Sequence, residues 1–211
     1  MKTHTELLNY LATKHNLKSY LEIGVQNPAN NFDKIKISCK VGVDPDIEGV
    51  EKSDHKSQYS LYPDTSDYYF NKNDVSSRNG NQYIETFDLI FIDGLHHADQ
   101  VKRDFDNSLR CLNAGGYIVI HDTLPENEAG TIVPRETRQW WGDVYKFAME
   151  LSGYVGINFR TVDIDNGCTV VWKDEECQSM PTVHKMNWET FLHYRSFLLD
   201  VIQPSEIGNY F

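Results

Sequence analysis

The stretch FDLIFIDGLHHADQVKRDFDNSLRCLNAGGYIVIHD, residues 87–122, decides how the rest of the chain is read. Phe87 to Ile92 is an almost unbroken apolar run, the pattern of a strand buried on both faces of a parallel sheet. It stops at Asp93-Gly94, an acid followed by a turn residue. From Asp99 the period changes. Val101, Phe105, Leu109 and Leu112 recur at helical spacing, with Lys102, Arg103, Asp106 and Arg110 between them. Gly115-Gly116 reads as the C-terminal cap of that helix. Tyr117 to Ile120 is a second buried strand and ends in His121-Asp122. Both strands of this strand–helix–strand unit carry ionisable residues at their carboxyl ends, the edge where open α/β sheets bind ligands.

Toward the N-terminus, Thr3 and Glu6 have the spacing of a capping box, and Leu7, Leu8 and Leu11 give the helix that follows an apolar face. The first strand is Ser19 to Val25, with Glu22 set in an apolar run and Gly24 where the backbone must turn or approach something closely. Residues 26–31 read as a loop and residues 31–37 as a short helix. The second strand, Cys39 to Val43, ends in Asp44-Pro45-Asp46. An acid at that tip can accept from two vicinal ribose hydroxyls at once. Gln58 to Tyr62 is the third strand, and Asp64 to Asp67 offers N-cap residues for a helix carrying Tyr68, Tyr69 and Phe70.

Toward the C-terminus, Thr123 to Arg138 is a long loop with Pro125 and Pro134, read as a lid or substrate wall. Trp140-Trp141 precede a helix that ends at Leu151 and read as core or lid packing. Gly156–Ile164 and Cys168–Trp172 are strands joined by the hairpin turn Asp165-Asn166-Gly167. Residues 174–185 read as irregular. Trp188 to Ile202 reads as a helix with Phe191, Tyr194, Phe197, Leu198 and Val201 on one side, forming core or a dimer interface.

The 211 residues suit one domain: a helix over 1–17, an α/β core over 18–172 and a C-terminal extension over 173–211. Net charge is −11, which argues against a general nucleic-acid binder. Cys39, Cys111, Cys168 and Cys177 form no C-x-x-C pair, and the first three read as small buried hydrophobes. No stretch has the length of a membrane span and the N-terminus has no apolar signal core, so a cytoplasmic location is expected.

The segments YLEIGV, KVGVDPD, TSDYYF, FDLIFIDGLHHADQVKRDF, LNAGGYIVIHD and WWGDVYKF together resemble the class I S-adenosylmethionine-dependent methyltransferases, in particular the small-molecule and sugar O-methyltransferase (macrocin-type) branch. The resemblance implies a Rossmann-like, doubly wound, seven-stranded sheet, mostly parallel, with an antiparallel C-terminal hairpin and flanking helices. It implies S-adenosylmethionine as cofactor, held by Glu22, Gly24, Asp44, Ser66, Asp67 and Asp93. It implies a divalent ion such as Mg2+ on Asp93 and Asp122, and a histidine base in the D-x-x-H pattern of Asp93 to His96. His96 and His121 are the two candidates, since imidazole titrates near neutrality. His97 reads as a helix-start residue.

Two departures stand out. The first loop lacks the further glycines such loops carry, and His121 replaces an acid or amide. The expected activity is O-methylation of a small polyhydroxylated or phenolic acceptor, with homo-oligomerisation left open. Two alternatives remain. One is a catalytically degenerate binding protein on the same fold. The other is a nicotinamide-dependent oxidoreductase, weakened because no G-x-G-x-x-G follows the first strand.

Overall fold

A computed structural model of the protein describes residues 1–48, 55–56, 59–73, 85–178 and 187–211. The central strand, β5 (Phe87–Ile92), explains its own composition. Leu89 and Phe91 pack into an apolar layer on one face of the sheet, and Ile90 and Ile92 into a second layer on the other. A strand with side chains alternating between two covered faces has no solvent side, so its one polar residue is Asp88, half-buried near its start.

The elements on either side follow the same logic. In chain order they are α1 (His4–Lys14), β1 (Ser19–Ile23), β2 (Cys39–Val43), β3 (His55–Lys56), β4 (Tyr59–Tyr62), α2 (Ser66–Asn73), β5, α3 (Ala98–Cys111) and β6 (Leu112–Ile120). They continue with α4 (Val144–Glu150), β7 (Val155–Val162), β8 (Cys168–Gln178), α5 (Trp188–Leu198), β9 (Val201–Ile202) and α6 (Ile207–Tyr210). The sheet runs β3-β4-β2-β1-β5-β6-β8-β7-β9. The seven expected strands occupy its middle, and two-residue strands flank them at either edge. Strands β4, β2, β1, β5 and β6 are mutually parallel, and β8 runs antiparallel to both β6 and β7. The 165–167 turn closes the β7–β8 hairpin with three consecutive left-handed residues, Asp165 (φ 48), Asn166 (φ 63) and Gly167 (φ 89).

Helix α1 covers one face through Leu7, Leu8 and Leu11, and α3 and α4 cover the other through Val101, Phe105, Val144 and Phe147. Thr3 caps α1, its Oγ1 accepting from the Glu6 N–H at 3.2 Å, while the Glu6 carboxylate takes the Lys2 N–H instead of closing the box.

Several expectations are corrected. Gly115-Gly116 does not cap α3. The helix ends at Cys111, Leu112 is already extended (φ −80, ψ 124), and both glycines lie inside β6. Leu112 therefore pairs with Phe87 of β5 instead of extending the helical face. The last long helix stops at Leu198, and Val201 belongs to a strand beside β7. On α5 Phe191 is buried, with Leu198 and Val201 packed in the same cluster, while Tyr194 is exposed and Phe197 is 84% exposed, so only part of the stripe is core. Residues 174–178 continue β8 where irregular chain was expected. The predicted helix over 31–37 shrinks to one turn at Phe32–Lys34, and Cys39 is exposed at the start of β2. Cys177 and the 58 end of the third strand lie outside the residues whose side chains are described.

Candidate active site

The chain lays down β1, β2 and β4 to one side, then returns to place β5 and β6 on the other. The crevice at this reversal lies above the tips of β1 and β5, where an open sheet leaves room for a ligand. Gly24 sits at the tip of β1 with φ +96. A Cβ there would lie 2.0 Å from the Asp93 carbonyl oxygen, so the two strand tips meet backbone to backbone only because the residue is glycine. A cleft of about 650 Å3 opens at this point. Its wall includes Glu22, Gly24, Asp44, Asp93, His96, His121 and Asp122. Seven of the nine residues singled out from the sequence thus meet in one cavity. Ser66 and Asp67 do not line it. They begin α2 and bind the Gln100 side chain of α3, each at 3.2 Å.

Strand parity sets which way the tips point. Glu22 shares a face with Tyr20, two residues back on β1. The Tyr20 hydroxyl and the Asn31 Nδ2 both donate to its Oε2, at 2.5 and 2.9 Å. With the residue only 2% exposed, burial pushes the Glu22 carboxyl up to about 8, against those donors and with help from Asp93. Asp44 is more open. Its Oδ2 accepts from the Gln26 N–H at 3.0 Å and its Oδ1 from the Asp46 N–H at 2.7 Å. The two amides orient the carboxylate and leave further lone pairs toward the cleft.

The other half of the cleft is an imidazole–carboxylate cluster. His121 Nδ1 is 3.1 Å from Asp93 Oδ1, and its Nε2 is 2.7 Å from the Asp165 backbone carbonyl. A carboxylate at one nitrogen and a carbonyl at the other both require donors, so His121 carries both protons. Burial alone would favour the neutral ring, but Asp93, Asp122 and Asp165 hold its pKa up to about 10. With an acceptor facing each ring nitrogen, this geometry favours the charged form of His121.

His96 differs. Its Nε2 lies 3.4 Å from Asp93 Oδ1 and its Nδ1 lies 3.3 Å from Asp122 Oδ2 and 3.3 Å from the Trp140 carbonyl oxygen. Burial lowers its pKa, but Asp93 and Asp122 outweigh that and raise it overall. Against burial, His121 and His96 hold the Asp93 carboxyl below its usual range. Asp122 goes the other way: burial, opposed by His121, pushes it up to about 6.

Sequence reasoning missed the parts that enclose this cluster. His4, at the start of α1, lines the cleft. Its ring packs edge-on against His121, with centroids 4.7 Å apart. Asp165 Oδ2 accepts from both His4 Nδ1 (2.6 Å) and the His4 N–H (3.1 Å), tying the helix start to the hairpin turn. From sequence His4 was an unread position in a capping box and Asp165 a turn former. Their 161-residue separation carries no local signal.

The 130–143 segment clasps the other side. The Asp143 N–H donates to the His96 carbonyl (3.2 Å), and Asp143 Oδ1 accepts from Ala98 N–H (2.7 Å), capping α3 where the His97 side chain does not. Gly142 (φ +60) allows this, since a Cβ would fall 1.7 Å from the His96 carbonyl oxygen. Trp140 stacks on the His96 ring, with centroids 5.3 Å apart and planes inclined 18°. Asp165→Ala is expected to destabilise the fold by about 1–2 kcal/mol through the lost helix-start acceptor. Urea unfolding would show the midpoint shift.

Residues 39–123 match a protein-family model described as a methyltransferase domain. Three solved structures share the fold. An O-methyltransferase of tomaymycin synthesis from Streptomyces achromogenes, in complex with S-adenosylmethionine, is 16% identical, with 81% of this chain and 79% of that one covered and a TM-score of 0.56. A Bacillus cereus O-methyltransferase in complex with S-adenosylhomocysteine is 13% identical, covering 81% and 80%, with a TM-score of 0.58. A methyltransferase from Podospora anserina bound to S-adenosylhomocysteine is 17% identical, covering 83% and 80%, with a TM-score of 0.55. At these identities the likeness is one of fold. Among the described residues no helix is long and apolar enough to cross a membrane.

Proposed function

We propose that this chain is a class I S-adenosylmethionine-dependent methyltransferase that transfers the methyl group to a hydroxyl of a small polyhydroxylated or phenolic acceptor, a reading supported by the family-model match and the shared fold. The observation that supports this reading is the single cleft shared by Glu22, Gly24 and Asp44 on one side and Asp93, His96 and Asp122 on the other. The first group suits the cofactor. Asp44 is oriented for a ribose diol, Gly24 lets the backbone come close, and the buried Glu22 carboxyl awaits a cationic partner. Ser66 and Asp67, at the start of α2, are engaged with Gln100 outside the cleft lining, so contact with the adenine is proposed for them only by way of the resemblance.

When bound, the cofactor supplies an electrophilic methyl group on a sulfonium. The chain's own residues must align the acceptor and deal with its proton. His121 cannot take that proton, because both its nitrogens already donate. Acceptor activation therefore falls to Asp93, His96 and Asp122. Trp140 and the 130–143 segment hold His96 in place and shield it from water.

The test is incubation with S-adenosylmethionine labelled in the methyl group and a panel of catechols, flavonoids and sugars. Labelled methyl ether is the expected product. Cofactor binding without label transfer to any member would favour the binding-protein alternative. Asp44→Ala is expected to raise KM for S-adenosylmethionine at least tenfold while leaving KM for the acceptor nearly unchanged. The tenfold figure corresponds to about 1.4 kcal/mol, the scale of a lost charge-assisted hydrogen bond.

A further inference from the structure

Positive charge around the cleft is unevenly satisfied. Three imidazoles line it, and each has a carboxylate beside it: Asp165 for His4, Asp93 and Asp122 for His96, and Asp93 for His121. Among the described residues Arg135 is the one lysine or arginine in the wall. The chain has 31 acidic residues against 20 lysines and arginines, yet no carboxylate among the described residues pairs with this guanidinium.

The side chain is nevertheless held in place. Its Nε donates to the Thr137 carbonyl at 3.0 Å and its Nη2 to the Arg138 carbonyl at 2.5 Å. The guanidinium carbon lies 5.9 Å from the centroid of the Trp140 ring, and the indole is itself fixed by its Nε1, which donates to the Ile132 carbonyl at 2.8 Å. The two backbone carbonyls occupy one edge of the guanidinium. The other edge, formed by Nη1 and the second Nη2 proton, donates to no described residue. Two parallel N–H groups on that edge match the two oxygens of a carboxylate. Because the carbonyls already fix the side chain, little rotamer freedom is left to lose on binding.

Placement gives this fork a use. Arg135 is exposed, at the outer side of the cleft. Trp140 stacks on His96, and His96 touches Asp93 and the buried Asp122. The wall thus runs from an outer cation past an indole to the inner cluster. Acids at the strand tips repel any anion carried inward. A ring bearing one carboxylate is admitted in one orientation only, with its charge outward on Arg135 and a hydroxyl inward toward Asp93 and His96.

We propose that Arg135 is a subsite for the carboxylate of an acidic acceptor, so that the hydroxyl to be methylated belongs to an aromatic or sugar acid. The inference rests on the proposed methyl transfer and narrows its acceptor.

The experiment uses the whole chain and reads binding by calorimetry. It compares 3,4-dihydroxybenzoate with catechol and glucuronate with glucose, at saturating S-adenosylhomocysteine and again without it. At least one acid is expected to bind at least tenfold more tightly than its neutral counterpart, and added salt should weaken the acid selectively. Arg135→Gln should bring the two members of that pair within twofold of each other, with thermal melting confirming that the variant is folded. Its affinity for S-adenosylhomocysteine should stay within twofold of the parent's.

No saturable binding of either acid would overturn the proposal, as would equal affinity for acid and neutral counterpart. A preference for the acid that survives in Arg135→Gln would overturn it too. A tenfold loss of S-adenosylhomocysteine in that variant would assign the guanidinium to the carboxylate of the cofactor instead. Titrating the acids without cofactor keeps a failure here distinct from a failure of the methyltransferase reading, which is read from S-adenosylhomocysteine binding by the parent.

Discussion

Gly24→Ala is expected to lower the thermal midpoint by roughly 6–12 °C and to leave no measurable S-adenosylhomocysteine binding. The added methyl would sit 2.0 Å from the Asp93 carbonyl oxygen, 2.4 Å from its carbon and 2.6 Å from Gly94 Cα. All three are backbone atoms of the neighbouring strand tip, so no side-chain rotation relieves the clash. The position also holds φ +96, which alanine adopts only with strain. Parting β1 from β5 is the remaining escape, and it opens the crevice the ligand needs. A cost of more than about 3 kcal/mol follows, and each kcal/mol shifts the midpoint of a chain this size by about 2–4 °C. The neighbouring Gly94 supplies the control. A Cβ there would meet nothing closer than Ile23 Cγ2 at 3.4 Å, an ordinary contact. Gly94→Ala should therefore cost less than about 1 kcal/mol. Calorimetric melting of both variants checks the pair; equal midpoints would mean that the β1 and β5 tips do not touch as described.

The second large effect separates stability from binding. Glu22→Gln should make the fold more stable near neutral pH and weaken the cofactor. In the unfolded chain a glutamate ionises near 4.5, whereas burial holds the folded Glu22 carboxyl up to about 8. The folded state therefore binds the extra proton between those values, and stability falls as pH rises through that window. Below about 4.5 both states are protonated and the loss disappears. Glutamine keeps the oxygen that Tyr20 and Asn31 donate to, but never ionises, so the variant lacks this one pH-dependent loss. Melting at pH 5.5 and pH 7.5 should show the gap between variant and parent widening at the higher pH.

A cationic ligand acts in the opposite sense. It favours the ionised carboxylate, so binding to the parent should release a proton and tighten as pH rises toward 8. Glu22→Gln should lose both the affinity and the proton release. Titration calorimetry in two buffers of different ionisation enthalpy would detect that proton. Unchanged affinity in the variant would place the cationic end of the cofactor away from Glu22.

The fold was legible because parallel strands covered on both faces write themselves as apolar runs. Ile90 and Ile92 on one side and Leu89 and Phe91 on the other left no ambiguity about β5. The strand tips were legible for the same reason, since Glu22, Asp44, Asp93 and His121-Asp122 are the charges that interrupt or end such runs. What local pattern could not reveal was the partner of each tip. Gly115-Gly116 looked like a helix cap because the α3-to-β6 transition uses Leu112 with no loop, and an extended leucine has no sequence signature.

The two acceptors of His121, Asp93 and the Asp165 carbonyl, were hidden because they come from a different strand and a distant turn. His4 and Asp165 were invisible for the same reason, as was the Trp140–His96 stack across 44 residues. Functional sites of this kind are assembled by long-range contacts, so the chain announces their ingredients and leaves out how they are wired.

The central claim is that Glu22, Asp44 and the glycine crossing at the β1 tip form one pocket for the S-adenosyl group. Calorimetric titration of the unmodified chain with S-adenosylhomocysteine, beside Asp44→Ala, tests it most directly. Saturable one-to-one binding by the parent, with at least tenfold weaker binding by a variant that melts normally, is the predicted result. No saturable heat from the folded parent, or equal affinity in both proteins, would contradict the account.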